Sequence, residues 1–278
     1  MQPTVIVLTY NSSASLPATL SSLTGISSDI HVIDSGSTDD TAAIARSFGA
    51  EVLEHPFESY GLQRNWAIDH VSCRHPWQLH LDADERLTDA LRDEIAALAE
   101  DGSVDGYFLP RYVKFLGRLL RHNLAPTWHM RLFRSGRARC EERAYDQHFI
   151  CNGATAQLRH EMIDEMRMPL TEWTARHNRW SDAEVKELLS GESAHRVQPK
   201  LAGNVVERKR AMRKIYESIP LFVRPFALFL YRYLSGGFLD GKEGLIFCVL
   251  QTFWFRFLID AKLYEQRIAA AAALPKPK

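Results

Sequence analysis

The sequence predicts an α/β fold: a three-layer domain of the nucleotide-binding kind on a mostly parallel sheet, followed by a helical C-terminal region that is basic and rich in aromatic residues. Three observations carry this expectation. Short β-branched apolar runs alternate with helix-spaced segments roughly every 20–30 residues as far as residue 100, an order that stacks helices on a parallel sheet. Polar residues collect where those runs end. Beyond residue 195 the chain turns basic and then strongly apolar.

The elements follow in order. TVIVLT (4–9) is apolar on both faces, as a buried parallel strand should be. After the polar turn YNSSAS, Leu16, Leu20 and Leu23 recur at helical spacing. DIHVIDSG is a second strand, and Thr38 is expected to cap a helix with Asp39 and Asp40 in its first turn. AEVLEH is a third strand, residues 61–71 a helix, and WQLHLDADE a fourth strand leading into the helix of Leu91, Ile95 and Leu98. GYFLPRYVKFLG and WHMRLFRSG are predicted as further, antiparallel strands, and residues 171–189 as a helix. The domain limits expected are 1–165 for the core, with 1–100 its donor half and 101–165 its acceptor half. A helical extension (166–211), amphipathic helices (212–267) and a flexible tail (268–278) follow.

Composition narrows the class. At 278 residues with 46% hydrophobic and 24% charged residues, the chain can bury a substantial core, and wholesale disorder is not expected. The net charge of zero hides an asymmetry: residues 1–195 carry 19 Lys and Arg against 28 Asp and Glu, residues 196–278 carry 15 against 6. A basic end on an acidic body points to an anionic partner. Cys73, Cys140, Cys151 and Cys248 are scattered with no CxxC pair, which argues against a disulfide framework or zinc ribbon and fits a reducing compartment. No cleavable signal segment is visible in MQPTVIVLTY.

The chemistry centres on LHLDADE. In an extended segment, Asp82 and Asp84 point to the same side, close enough to share one hard cation, Mg²⁺ or Mn²⁺. Ligand sites in open α/β sheets lie at the carboxyl ends of the strands. Tyr10 and Asn11 follow the first strand, Asp34 and Asp39 the second, so three strand ends present polar groups to one edge. A cation there would neutralise a diphosphate and accept charge as a bond to it breaks. An acidic surface turn is the plain alternative. No G-x-G-x-x-G turn follows the first strand, which counts against a dinucleotide fold.

The succession IVLTYN, VIDSGSTDDT, GLQRNWAID and HLDADE resembles that of family 2 glycosyltransferases of the GT-A fold, over roughly residues 4–160. Within that family, WHMRLFR and YDQHF resemble bacterial lipopolysaccharide-core β-1,4-glucosyltransferases and related exopolysaccharide enzymes. The resemblance implies a metal-dependent inverting hexosyltransferase that takes a UDP-sugar, glucose first among the hexoses. It puts Thr9 and Tyr10 against the uracil and Asp34 and Asp39 at the uridine, with Asn11 and Ser35 among the donor-binding residues. Gln63, Arg64 and Asn65 would hold the donor. Asp82 and Asp84 would hold the metal, Asp84 being the preferred direct ligand and Glu85 a supporting residue.

Inverting transfer needs a carboxylate base on the acceptor side. In AYDQHF this is Asp146, with Glu142 as first rival and Glu141 and Glu161 behind it; relatives more often carry a His-Glu pair here. Arg131 and Arg134 are read as alternating on one strand face towards donor phosphate or an anionic acceptor, and His129 beside Trp128 as lining the sugar site.

The C-terminal run Leu245–Ala261 is interrupted by Gln251, Arg256 and Asp260, and a spanning helix would want about 20 residues with few charges. Pro220 and Pro225 break the preceding segment. The expectation is helices lying in an anionic membrane surface, peripheral or monotopic, on the cytoplasmic face of a bacterial inner membrane. The acceptor would be a lipid-linked or lipopolysaccharide-core glycan. Packing on the body, or a homodimer interface, is the alternative. ERKRAMRK lacks a nucleic-acid recognition motif, so no nucleic-acid partner is expected. The enzymatic rival is a Mg²⁺-dependent nucleotidyltransferase acting on a sugar phosphate; YNSSAS is not the glycine-rich loop such an enzyme would carry.

Overall fold

In a computed structural model, residues 1–123, 126–143, 146–190 and 197–273 are described. Strand β1 (Thr4–Thr9) is buried along its whole length. Its alternate residues split between two cores, as the two-residue period of a strand requires. Val5 and Val7 join Leu16, Leu20 and Leu23 on one side of the sheet. Ile6 and Leu8 join Ala67 and Val71 on the other. This is why a run apolar on both faces reads as a central strand with helices above and below it.

Four strands form the parallel half: β1, β2 (Ile30–Asp34), β3 (Glu51–Glu54) and β4 (Trp77–Asp82). Helices α1 (Leu16–Ser21), α2 (Thr41–Ser47) and α3 (Tyr60–His70) connect them. After β4 come a short strand β5 (Glu85–Leu87) and helix α4 (Asp89–Ala96). Leu91 and Ile95 of α4 pack into the α1 side of the core. The remaining strands are β6 (Gly106–Phe115), β7 (Arg118–Leu120), β8 (Thr127–Arg134), β9 (Ala138–Cys140), β10 (Phe149–Cys151), β11 (Thr155–Gln157) and β12 (Met162–Met166). The main sheet runs β3-β2-β1-β4-β8-β6-β12-β5, with β7 and β11 on β6. β8 is antiparallel to both β4 and β6, as the sequence predicts for those two segments.

Helices complete the chain: α5 (Leu170–Ser190), α6 (Val205–Ser218), α7 (Val223–Leu234), α8 (Gly241–Cys248) and α9 (Phe255–Ala273). A π-helical stretch, Val249–Trp254, joins α8 to α9. α6 starts on a capping box, Asn204 with Glu207. Pro220 falls in the break before α7, and Pro225 sits in its first turn, where no backbone N–H is required. Val185 of α5 packs with Phe255, Ile259 and Leu263 of α9.

Three local expectations are corrected. The helix expected from Thr38 begins at Thr41, because the Asp39 carboxylate accepts from the backbone and hydroxyl of Thr41 and holds the chain in a turn. Asp82 and Asp84 do not share one extended strand. β4 ends at Asp82, the chain turns, and Glu85 opens β5 against β12. Residues 268–273, expected as frayed tail, continue α9; residues 274–278 of that tail lie outside the described residues.

Candidate active site

The carboxyl ends of β1, β2 and β4 lie side by side, with Thr9 in register with Asp34 and Leu8 with Asp82. Asp34 is buried and saturated. It accepts from Thr9 Oγ1 at 2.9 Å, from the N–H of Gly36 at 3.1 Å, and from Ser37 N–H and Oγ at 2.7 and 2.6 Å. Asp39 accepts from the N–H groups of Ser13 and Thr41, both at 3.0 Å. Although burial works the other way, those bonds hold its carboxyl down at about 2. Both aspartates therefore knit the β1–α1 loop to the β2–α2 loop. Tyr10, 61% exposed, is left on the open edge beside Asn11, whose side-chain oxygen accepts from Thr38 N–H at 2.8 Å.

α3 supplies the next layer. Ser59 caps it by accepting from Leu62 N–H. A Cβ on Gly61 would stand 2.2 Å from the Glu141 carbonyl, so only glycine lets the helix approach the 140–142 segment. Asn65 clamps the same segment, donating to the Cys140 carbonyl at 3.0 Å and accepting its N–H at 2.8 Å. Gln63 donates to Ser35 Oγ at 3.2 Å and pairs with His55 at 2.7 Å. These two amides are occupied with the protein itself.

Beyond them lies a ladder of alternating charge. Arg64 binds Asp82 at 2.7 Å; Arg131 binds the other Asp82 oxygen at 2.8 Å and Glu85 at 2.6 Å. Arg111 continues it to Glu85 at 3.4 Å and Asp164 at 3.2 Å. Three arginines thus balance three carboxylates. Burial would raise the Asp82 carboxyl, but Arg64, Arg131 and Arg111 overcome that and hold it below the usual carboxylate range.

Asp84 stands outside the balance. Burial first, then Asp164, Asp82 and Glu85, push its carboxyl well above the ordinary value. Asp164 is raised too, by burial and by Glu85 and Asp82, with Arg111 working against the rise. Its neighbour's N–H, that of Glu165, donates to the Asp84 carbonyl at 2.9 Å, which fixes β12 beside the turn. Such a pair of carboxylates with surplus negative charge fits a hard divalent cation. Among the described residues no three His, Cys, Asp or Glu side chains converge as a ready metal cage. Mg²⁺ in particular is commonly bound by one or two carboxylates plus substrate phosphates.

Several expected residues are placed differently from the sequence reading. Asp82 has both oxygens on arginines, so Asp84 with Asp164 is the better donor pair. Arg64 and Arg131 are buried within the ladder rather than open to a phosphate. Arg134 lies at the opposite end of the sheet. It pairs in register with Trp77, the first residue of β4, and its guanidinium lies 5.0 Å over that ring. Strand positions three apart face opposite sides, so Arg131 and Arg134 cannot share a face.

Asp146 is bound by Lys209 at 2.7 Å and Arg210 at 3.0 Å, with His148 at 3.4 Å. Burial is outweighed by Lys209, His148 and Arg210, which hold this carboxyl well below the ordinary value. A base that strongly stabilised as the anion is a weak one. Glu141 is fully buried on Arg210 at 2.8 Å. Glu142 is exposed on the segment that Asn65 clamps. Glu161 lies at the start of β12, on Arg121 at 3.2 Å. His129 stacks on His148 at 5.3 Å.

Asp164 and Arg111 were missed by sequence reasoning. Their only signal is the insertion of β12 between β6 and β5, which pairs Met162 with both Arg111 and Leu87, residues far back along the chain.

A mostly parallel sheet of this kind, with its charged cleft at the strand ends and a helical C-terminal unit, is the architecture of GT-A glycosyltransferases. Residues 4–167 match the family described as Glycosyl transferase family 2, and the chain belongs to that family. It is similar to the lipopolysaccharide core biosynthesis glycosyltransferase LpsC of Rhizobium meliloti, 25% identical over 87% of this chain and 85% of that protein. It is also similar to the uncharacterized glycosyltransferase RP128 of Rickettsia prowazekii, 36% identical over 36% of this chain. The match spans about a third (34%) of the length of that Rickettsia relative. Among solved structures, the mannosyltransferase PcManGT of Pyrobaculum calidifontis superposes with a TM-score of 0.49 at 16% identity, covering 98% of this chain and 87% of that one. For TarS of S. aureus the TM-score is 0.46 at 14% identity, covering 96% and 92%.

Proposed function

We propose that the protein is an inverting hexosyltransferase that moves a sugar, glucose first among the candidates, from a UDP-sugar to a hydroxyl of a lipopolysaccharide-core or lipid-linked glycan. The observation that carries this reading is Asp84, which makes no ion pair among the described residues, set with Asp164 beside the ends of β1, β2 and β4. The likeness to LpsC, a lipopolysaccharide core biosynthesis glycosyltransferase, supports the acceptor class.

Asp84 and Asp164 would hold Mg²⁺ or Mn²⁺, which when bound supplies positive charge to the diphosphate oxygens. The open edge of Tyr10 and Asn11 receives the uracil, on loops that Asp34 and Asp39 make rigid. The arginine ladder holds Asp82 and Glu85 in place under the turn. Glu142 takes the proton of the attacking hydroxyl in this reading, and Asp146 holds α6 against the acceptor half.

The acceptor class also accounts for the C-terminal helices. One described helical run, Gly237–Ala272, is long and apolar enough to cross a bilayer by length and composition, and 39% of its apolar 18-residue window is buried. Its polar breaks turn inward: Gln251 bonds His177 at 3.1 Å and Asp260 binds Arg224. On α7, Val223, Phe226, Leu230 and Leu234 form one exposed apolar face at helical spacing. Together with the basic excess of residues 196–278, this favours attachment to the anionic cytoplasmic face of an inner membrane, with the helices in its plane.

The test is a panel of UDP-sugars scored for UDP release with and without Mn²⁺. Mn²⁺-dependent UDP release from one donor supports the reading. Pyrophosphate release from a nucleoside triphosphate and a sugar phosphate would replace it with a nucleotidyltransferase.

A further inference from the structure

Arg64, Arg111 and Arg131 are each committed to carboxylates of the ladder. A fourth arginine reaches the same cleft from α5 and makes no ion pair among the described residues. The charge of Arg176 acts on Asp84, on Asp164 and on Tyr60 of α3. Its guanidinium lies 4.7 Å over the ring of Trp180, one helical turn on, and its Nε is buried without a hydrogen-bond partner. An arginine stacked on an aromatic ring, with donors left over, is pre-organised for an incoming oxyanion.

α5 is a firm platform for it. Trp173 is buried, and His177 is fixed between the Trp173 carbonyl at 2.9 Å and Gln251 at 3.1 Å. The far end of the helix is locked by Val185 against Phe255, Ile259 and Leu263.

Resting on the reading given under Proposed function, we propose that Arg176 binds the β-phosphate of the nucleoside diphosphate and stabilises it as the leaving group. The bond between the anomeric carbon and the β-phosphate oxygen breaks, and its electron pair stays on that oxygen. The acceptor hydroxyl forms the new bond from the opposite face, and its proton passes to the carboxylate base. The diphosphate therefore departs with one more negative charge than it brought. With the three ladder arginines already matched, Arg176 is the cation positioned for that added charge, where a preorganised donor contributes most.

The experiment uses the full chain with MnCl₂, comparing wild type with Arg176→Ala and Arg176→Lys. UDP release from UDP-glucose gives kcat and KM, and calorimetry gives the affinities of UDP and UDP-glucose. For Arg176→Ala we expect kcat to fall on the order of 100-fold, as when one oxyanion donor is removed, with KM changed less than about threefold. UDP binding should weaken about tenfold more than UDP-glucose binding, since only the product carries the extra charge. Arg176→Lys should keep part of the rate, and added guanidinium should restore part of it to Arg176→Ala. Wild-type kcat in Arg176→Ala, or equal losses for UDP and UDP-glucose, would overturn the assignment while leaving the proposed function standing. If wild type binds neither UDP nor GDP with Mn²⁺, the proposed function falls and takes the assignment with it.

Discussion

Two charged clusters lie along the chain's folded core, and they differ in balance. Around Lys209 and Arg210, two cations meet the two carboxylates Glu141 and Asp146, and each carboxylate has a cation within 3.0 Å. At the β4–β12 turn, three ladder arginines are taken by three of four carboxylates, and Asp84 is left without an ion pair among the described residues, Arg176 acting on it without pairing. A balanced buried cluster costs desolvation and gives it back in geometry, so its role is to hold elements together. A buried surplus of one sign is unfavourable until something of the opposite sign arrives. The first pattern marks structure; the second marks a binding site.

Breaking the surplus should produce the largest effect. Asp84→Asn removes the unmatched charge, so turnover should fall by a factor on the order of 1,000 or more, in line with losing a charge-stabilising group. The metal-free protein should melt no lower than wild type, because repulsion is relieved. A steady-state assay with a thermal melt in EDTA checks both. Unchanged turnover would show that Asp84 binds no needed cation.

Breaking the balance should cost stability instead. Asp146→Asn strips Lys209 and Arg210 of their shared partner, and a loss of about 2–3 kcal/mol is expected, discounted from the full buried-pair range because Asp146 is partly exposed. The pH dependence follows from the lowered carboxyl. Its contribution is full above the unfolded value near 4 and is lost as pH falls through the folded value. The stability gap between wild type and Asp146→Asn should therefore close below about pH 4 in urea titrations. Glu142→Gln should do the converse, melting like wild type and losing turnover about 100-fold or more. If Asp146→Asn instead keeps its stability and loses transfer, the base belongs at Asp146.

How much of this the sequence disclosed depends on the range of the interaction. The β1, β2 and β4 runs, and the polar groups at their ends, are local patterns and were legible in TVIVLT, HVID and WQLHLD. Asp84 was legible from its spacing, but its partner was not. Asp164 reaches it only because β12 returns between β6 and β5, and no periodicity announces such a return. For the same reason Asp82 read as a ligand when Arg64 and Arg131 had already occupied it. In the C-terminal run, Gln251 and Asp260 read as breaks in an apolar surface, yet both turn inward to His177 and Arg224. The surface they leave behind is more apolar than the sequence suggested.

That surface gives the smallest of the expected effects, and it sharpens a second contrast, between a polar cleft and a greasy flank. Removing residues 212–278 is a poor test, because α9 supplies Phe255, Ile259 and Leu263 to the core of α5. Phe226→Glu with Leu230→Glu on α7 leaves that core alone, since both side chains are exposed. If α7 lies in a lipid surface, the double variant should bind vesicles containing anionic lipid about tenfold less tightly, the loss expected from withdrawing roughly two partly inserted apolar side chains. Donor hydrolysis in solution should be unchanged, because the cleft is untouched. Sedimentation separates this from the rival occupant. If the wild type is a dimer without lipid and the double variant a monomer, α7 is a subunit interface, and the membrane reading of this face is lost.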